Sequence, residues 1–225
     1  GPLWIIISPL MSSVVYTMVF GNLAKISADG LPRILFYLAG TTMWGLFNKC
    51  LMSASNTFIS NRQLYSKIYF PRIITVLSSA MSGLISFLIQ FAMLMIFYVY
   101  YALSGEAIGL NWYWLTIPVL LAQCMMLGSA VGMVIASLSV KYKDFVFMMS
   151  LFVHLWMYAT PIVYPLPTTE SLTRTVLLLN PVTAIVNNFR YALYQRGTLM
   201  TWEWAVSFAV TLLILWLALA LFSRA

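Results

Sequence analysis

Charge is what this sequence has least of. Only 8% of its 225 residues are Asp, Glu, Lys or Arg, and five of these are acidic. Soluble domains carry roughly 25% charged residues, so too little polar surface is available here to face water. Histidine occurs once and cysteine twice. Cys50 and Cys124 lie within apolar segments without metal-ligand spacing, and both are expected to be core thiols. No glycine-rich phosphate loop of the Walker type is present, which excludes an ATPase within the chain. No paired carboxylates sit where acid–base catalysis could use them. The acids Asp29, Glu106, Asp144, Glu170 and Glu203 fall in loops or near the ends of apolar segments. None can serve an intramembrane proton or sodium relay. These absences argue against a membrane enzyme and against a secondary transporter, leaving a passive conduit driven by a partner.

What is present is apolar surface, with 62% of residues hydrophobic. A bilayer removes the need for a polar exterior, and a spanning helix needs ~20 mostly apolar residues. Open sheets would leave backbone groups unpaired in lipid, and the ~10-residue alternation of an outer-membrane barrel is missing. The expectation is an all-α integral membrane protein, residues 1–225 forming one transmembrane domain with six spans. They are placed at about 2–23, 34–60, 73–103, 113–138, 145–163 and 202–222. The opening Gly1-Pro2-Leu3-Trp4 lacks a starting Met, a basic leader and a cleavage site, so a start partway into a longer protein is expected.

The net charge of +7 offers no basic stripe to a phosphate backbone, so no nucleic-acid partner is expected. It fits juxtamembrane positive charge instead. The loops after the second and fourth spans hold Arg62, Lys67, Arg72, Lys141 and Lys143, against Lys25 and Arg33 after the first span. Both termini are therefore expected in the cytoplasm. Residues 164–201 contain two apolar stretches, Leu172–Leu179 and Val182–Leu193, each too short to span and separated by Asn180-Pro181. Two short re-entrant helices before span six are expected; a surface loop with interfacial helices is the alternative.

Counting 100° per residue gathers Thr42, Gly45, Lys49, Ser53, Asn56 and Ser60 on one face of the second span. Tyr37, Trp44, Phe47 and Phe58 lie opposite. The third span has a polar stripe, Thr75, Ser79, Ser82, Ser86 and Gln90, beside an aromatic one, Phe87, Phe91, Tyr98 and Tyr101. In the fifth, Phe147, Ser150, His154, Tyr158 and Pro161 align. Helix packing explains the Ser/Thr stripes about as well as a pore does. Lys49 lies about eleven residues, or ~16 Å, from the cytoplasmic end, too far to snorkel easily. A central lysine costs at least ~2.5 kcal/mol, so it faces either a hydrated path or anionic ligand, or a buried structural partner. His154, with no second ligand nearby, is expected to make a hydrogen bond rather than bind metal. Gly128, Gly132 and Ala136 form a small-residue ridge suited to close helix contact.

Four segments in order carry a family resemblance over nearly the whole chain. Leu64-Tyr65-Ser66-Lys67-Ile68-Tyr69-Phe70-Pro71-Arg72 resembles the L-x-x-K-x-x-F-P-R segment of type 2 ABC exporter permeases that move polysaccharides. The opening Gly1-Pro2-Leu3-Trp4 with Pro9-Leu10 is similar to the start of their first span. Lys141-Tyr142-Lys143-Asp144, Leu155-Trp156-Met157 and Pro161-Ile162-Val163-Tyr164-Pro165 resemble their fourth-to-fifth span region. Asn180-Pro181 with Phe189-Arg190 is similar to the segment before the last span.

The resemblance implies the transmembrane subunit of an ATP-driven exporter in the bacterial inner membrane, moving lipid-linked polysaccharide of O-antigen, capsule or teichoic acid type. It implies a homodimer, with ATP bound by a separate cytoplasmic subunit and no cofactor in this chain. The coupling helix would fall on residues 61–72, with Arg62, Leu64, Tyr65, Lys67, Tyr69, Phe70 and Arg72; a positive-inside anchor at the membrane surface is the alternative. Asn180, Pro181, Phe189 and Arg190 would belong to a periplasmic gate. Substrate-channel candidates are Tyr37, Trp44, Lys49, His154, Trp156 and Tyr158, although Trp156 and Tyr158 point ~160° apart. The family's interfacial helix before the first span is not represented, and Lys49 is outside the recognised motif. It would contact a lipid diphosphate or be a private structural feature. Alternatives are a drug or lipid exporter of the same fold, a scaffold for polymer synthesis, and a stand-alone channel.

Overall fold

The computed structural model describes residues 2–23, 25, 27–60, 72–105, 111–139, 145–167 and 172–222. The described residues form helices and turns only. They are α1 (Pro2–Tyr16), α2 (Arg33–Ser55), α3 (Thr57–Ser60), α4 (Arg72–Leu103), α5 (Ile117–Ser139), α6 (Phe145–Tyr158), α7 (Leu172–Leu178), α8 (Pro181–Tyr194) and α9 (Thr201–Phe222). α1 continues as π-helical turns over Thr17–Leu23, and a 3₁₀ segment, Trp112–Thr116, leads into α5.

Among the described residues, four helical segments are long and apolar enough to cross a bilayer: Leu3–Leu23, Ile73–Leu103, Trp112–Ser139 and Thr201–Phe222. α2 has 23 residues but is diluted by Thr41, Thr42, Asn48, Lys49 and Ser53. It tolerates them because neighbouring helices surround it: Leu35 through Met43 are buried, several completely. The expected second span is split at Asn56, whose side-chain amide donates to the Met52 carbonyl at 2.8 Å. The fifth span, expected over 145–163, ends as a helix at Tyr158. Pro161 has no N–H to continue the ladder and disfavours helical backbone in Thr160. The turn that follows is held from α8 instead.

α2 is the central element and packs chiefly against α5 and α4. Its approach to α5 is set by glycine. A Cβ on Gly128 would lie 2.7 Å from the Phe47 carbonyl oxygen, and one on Gly132 would lie 2.5 Å from that of Leu51. With Ala136 also buried, the small-residue ridge of α5 is in backbone contact with α2. Lipid supplies little hydrophobic drive between helices, so such close packing carries much of the association. Polar contacts add to it. Gln123 of α5 donates to Ser207 at 3.0 Å and accepts from the Trp204 indole at 2.7 Å. Ser207 in turn donates to the Pro181 carbonyl at 2.7 Å, which ties α5, α9 and the start of α8 together.

α7 and α8 take the two apolar stretches between α6 and α9. Asn180 caps α8 by accepting from the Val182 amide at 3.1 Å, and Pro181 occupies the first helical turn. Both choices satisfy the orphan amides of a helix start. The aromatic stripe of α4 packs against α8: Phe87 and Phe91 meet Phe189, and Tyr98 stacks on Tyr194 at 6.0 Å. These rings are therefore core.

Substituting Gly132→Leu is expected to push α5 from α2 and cost about 2–3 kcal/mol or more, the range for overpacked cores. Gly83→Ala, whose Cβ would meet the Cys50 sulfur at 3.2 Å, should cost much less. Unfolding in detergent, followed by circular dichroism, checks both.

Candidate functional site

Two polar stripes legible in the sequence meet in space. Gly45 and Lys49 of α2 face Ser82, Ser86 and Gln90 of α4, and the absence of a Cβ at Gly45 leaves room for the Gln90 amide, whose oxygen would stand 3.2 Å from it. α1 and α6 complete a groove of about 440 Å³. α1 contributes Trp4, Ser8, Ser12 and Tyr16; α2 contributes Thr41, Trp44, Asn48 and Lys49; α6 contributes Val153, His154 and Met157. Ser8 and Ser12 did not stand out in the sequence, although their spacing of four puts them on one face of α1.

Lys49 is the positive charge of this groove. Its ammonium donates to the Ser82 carbonyl at 3.3 Å and, in a short hydrogen bond, to the Ser86 hydroxyl. Those residues lie roughly 15–21 Å along α4 from Arg72 at the helical rise. Among the described residues Lys49 has no carboxylate partner, and the ion pair seen is Arg174–Glu203 at 3.7 Å. The His154 ring donates through Nδ1 to the Ser150 carbonyl at 2.6 Å, which leaves Nε2 for the groove.

The other channel candidates lie elsewhere. Tyr37 is fully buried and packs edge-on against Phe36 and Tyr16. Trp156 is half-buried and packs edge-on against Phe47 at 5.3 Å. Tyr158 is exposed at the end of α6. Among these six residues, Trp44, Lys49 and His154 share the groove. Arg62, Leu64, Tyr65, Lys67, Tyr69 and Phe70 lie outside the described residues, and Arg72 is placed only as the first residue of α4.

A second cluster joins the gate candidates. Arg190 on α8 is buried, and its two terminal nitrogens donate to the carbonyls of Pro161 and Ile162 at 2.5 and 2.6 Å. Its guanidinium carbon sits 3.7 Å from the Phe36 ring centre, a cation–π contact. Asn180 adds a 2.8 Å bond from its amide to the Thr160 hydroxyl. The turn after α6 is thereby fastened to α8. Asp29, in the loop before α2, lines a small cavity with Arg190 and Arg196. Burial raises its carboxyl above the ordinary carboxylate range, while the charge of Arg190 pulls it back.

Arg190→Met would orphan both carbonyls at about 1–3 kcal/mol each. The expected result is a loss of about 2–4 kcal/mol with faster amide exchange at 159–163, while Arg190→Lys recovers only part because an ammonium lacks the planar fork. Hydrogen exchange of the purified protein checks this.

Similarity to known proteins covers both clusters. The family model described as ABC-2 type transporter matches residues 1–194. The O-antigen export system permease protein RfbA of Myxococcus xanthus is 24% identical over 226 residues, covering 99% of this chain and 84% of that protein. Two Klebsiella pneumoniae proteins of the same name are 25% identical over 199 residues and 24% over 224. They cover 88% and 100% of this chain, and 74% and 84% of their own lengths. The family match runs from α1 through α8, taking in every wall of the groove and the Arg190 contacts, and the chain belongs to the ABC-2 type transporter family.

Proposed function

We propose that this chain is the membrane subunit of an ATP-driven exporter that carries a lipid-linked polysaccharide outward across the bacterial cytoplasmic membrane. The observation that carries the reading is the polar groove between α1, α2, α4 and α6, in a chain that matches, over nearly its whole length, relatives named O-antigen export permeases. A sugar chain needs a hydrogen-bonding path with aromatic faces. Ser12, Asn48, Ser86 and Gln90 beside Trp4 and Trp44 supply that chemistry at one wall.

In this reading the protein has six spans, α2 and α6 joining the four long apolar segments. α2 is sheltered by its neighbours, and α6 reaches the membrane's outer part before the Arg190-held turn. α7 and α8 dip into the outer face as re-entrant helices at a periplasmic gate, and both termini are cytoplasmic. Two copies form the conduit, and each engages a cytoplasmic ATP-binding subunit through residues 61–72. The basic residues Arg62, Lys67 and Arg72 would meet that subunit. α4 begins at Arg72 and runs unbroken to Leu103, so movement of the coupling segment reaches the groove wall through a rigid rod.

The test is surface polysaccharide in cells carrying the permease intact, deleted, or with Lys67 and Arg72 both replaced by Ala. Deletion should remove surface polymer and leave polymer trapped in the cytoplasm. The double variant should lower both surface polymer and recovery of the ATP-binding subunit in a pull-down, by about tenfold or more. Undiminished surface polymer after deletion, with no second permease gene present, refutes export by this chain.

A further inference from the structure

Lys49 has three ammonium protons and two acceptors. The Ser82 carbonyl and the Ser86 hydroxyl take two of them, and both partners are neutral, so a full positive charge remains facing the groove. Among the described residues no acid supplies its counterion. Asp29 lines a cavity with Arg190 and Arg196, and Glu203 pairs with Arg174. A lysine at this depth is costly, and a structural role alone would be served by a serine or glutamine making the same neutral hydrogen bonds. The walls around it carry further polar groups, the amides of Asn48 and Gln90 among them. The groove, about 440 Å³, falls within the range of small-molecule sites, roughly 300–1,000 Å³.

We propose that this groove is an anion-binding site for a phosphate or diphosphate ester, with Lys49 as its charge and the free ammonium proton as its leading donor. A diphosphate brings several acceptor oxygens and at least two negative charges, which matches one lysine set among amides and hydroxyls. The neutral bonds to Ser82 and Ser86 fix the lysine rotamer before the ligand arrives, so little side-chain entropy is lost on binding. Trp4, exposed on α1 and lining the same groove, offers a ring face for the first sugar beyond the ester. The assignment rests on the export reading for its source of ligand, the charged head of a lipid-linked glycan. In that role Lys49 is a specificity-determining residue: it separates a charged carrier lipid from neutral bilayer lipid.

The experiment uses the full-length permease with its ATP-binding subunit in lipid nanodiscs and a radiolabelled short-chain polyprenyl diphosphate as probe. Wild type should bind it saturably, and the corresponding uncharged polyprenol should bind far more weakly. Lys49→Met should weaken diphosphate binding by about tenfold or more, the scale of one lost charge-assisted hydrogen bond. Lys49→Arg should stay within about threefold. Gln90→Glu, nearly isosteric, sets a carboxylate in the same groove and should weaken binding without removing the lysine, so a folding defect of the methionine variant does not decide the matter. Displacement by inorganic pyrophosphate assigns recognition to the bare anion; lack of displacement assigns it to the lipid-linked head. No saturable binding by wild type, or binding at the wild-type level by both Lys49→Met and Gln90→Glu, overturns the site. Because binding is read without transport, that failure is distinct from surface polymer persisting after permease deletion.

Discussion

The contact between the backbones of α2 and α5 is the constraint on which the rest of this bundle depends. α2 carries a lysine, an asparagine and several hydroxyls, and depends on its neighbours for cover. Gly128 and Gly132 let α5 close over its carbonyls, while α4 and α8 cover its other faces. In a bilayer the apolar side chains gain little by leaving lipid for protein, so steric fit and internal hydrogen bonds decide which helices associate. The Gln123–Ser207–Trp204 contacts then bind α9 to α5, and Ser207 carries the linkage on to α8. The side of α2 toward α1 and α6 is the one left as a groove.

Much of this architecture could be read from the residues. Long apolar runs fixed α4, α5 and α9 nearly to their ends, since nothing but a helix satisfies backbone groups over that length of lipid. Asn180-Pro181 marked the break between α7 and α8 because a proline interrupts the helical ladder; that Asn180 also caps α8 came from the structure. The spacing of Gly128, Gly132 and Ala136 announced a close contact but not its partner. The end of α6 was misplaced by five residues, because hydropathy continues through Pro161–Val163 while the backbone is taken up by Arg190 from a distant helix.

The candidate site was legible in halves. Periodicity gathered Gly45 with Lys49, and Ser82 with Ser86 and Gln90, yet a stripe says only that residues share a face. That the two stripes oppose each other follows from how α2 and α4 pack. Aromatic residues were the least decipherable, since rings serve cores, lipid belts and sugar platforms alike. Trp44 lines the groove, whereas Tyr37 is sealed among Phe36 and Tyr16, and no count along a single helix separates those outcomes.

The two clusters divide the labour expected of a conduit. Around Arg190 the charge is enclosed: two carbonyls and a phenylalanine face hold it, its Nε is buried without a hydrogen-bond partner, and Asp29 lines the same small cavity. Such a group fastens structure, and its neighbours are fixed by its geometry. Around Lys49 the partners are neutral as well, but one side opens to a groove. A membrane protein with so few charges can place one without a counterion only where solvent or ligand completes it. The contrast makes the turn after α6 a fixed frame and the groove the place where chemistry from outside the chain can enter.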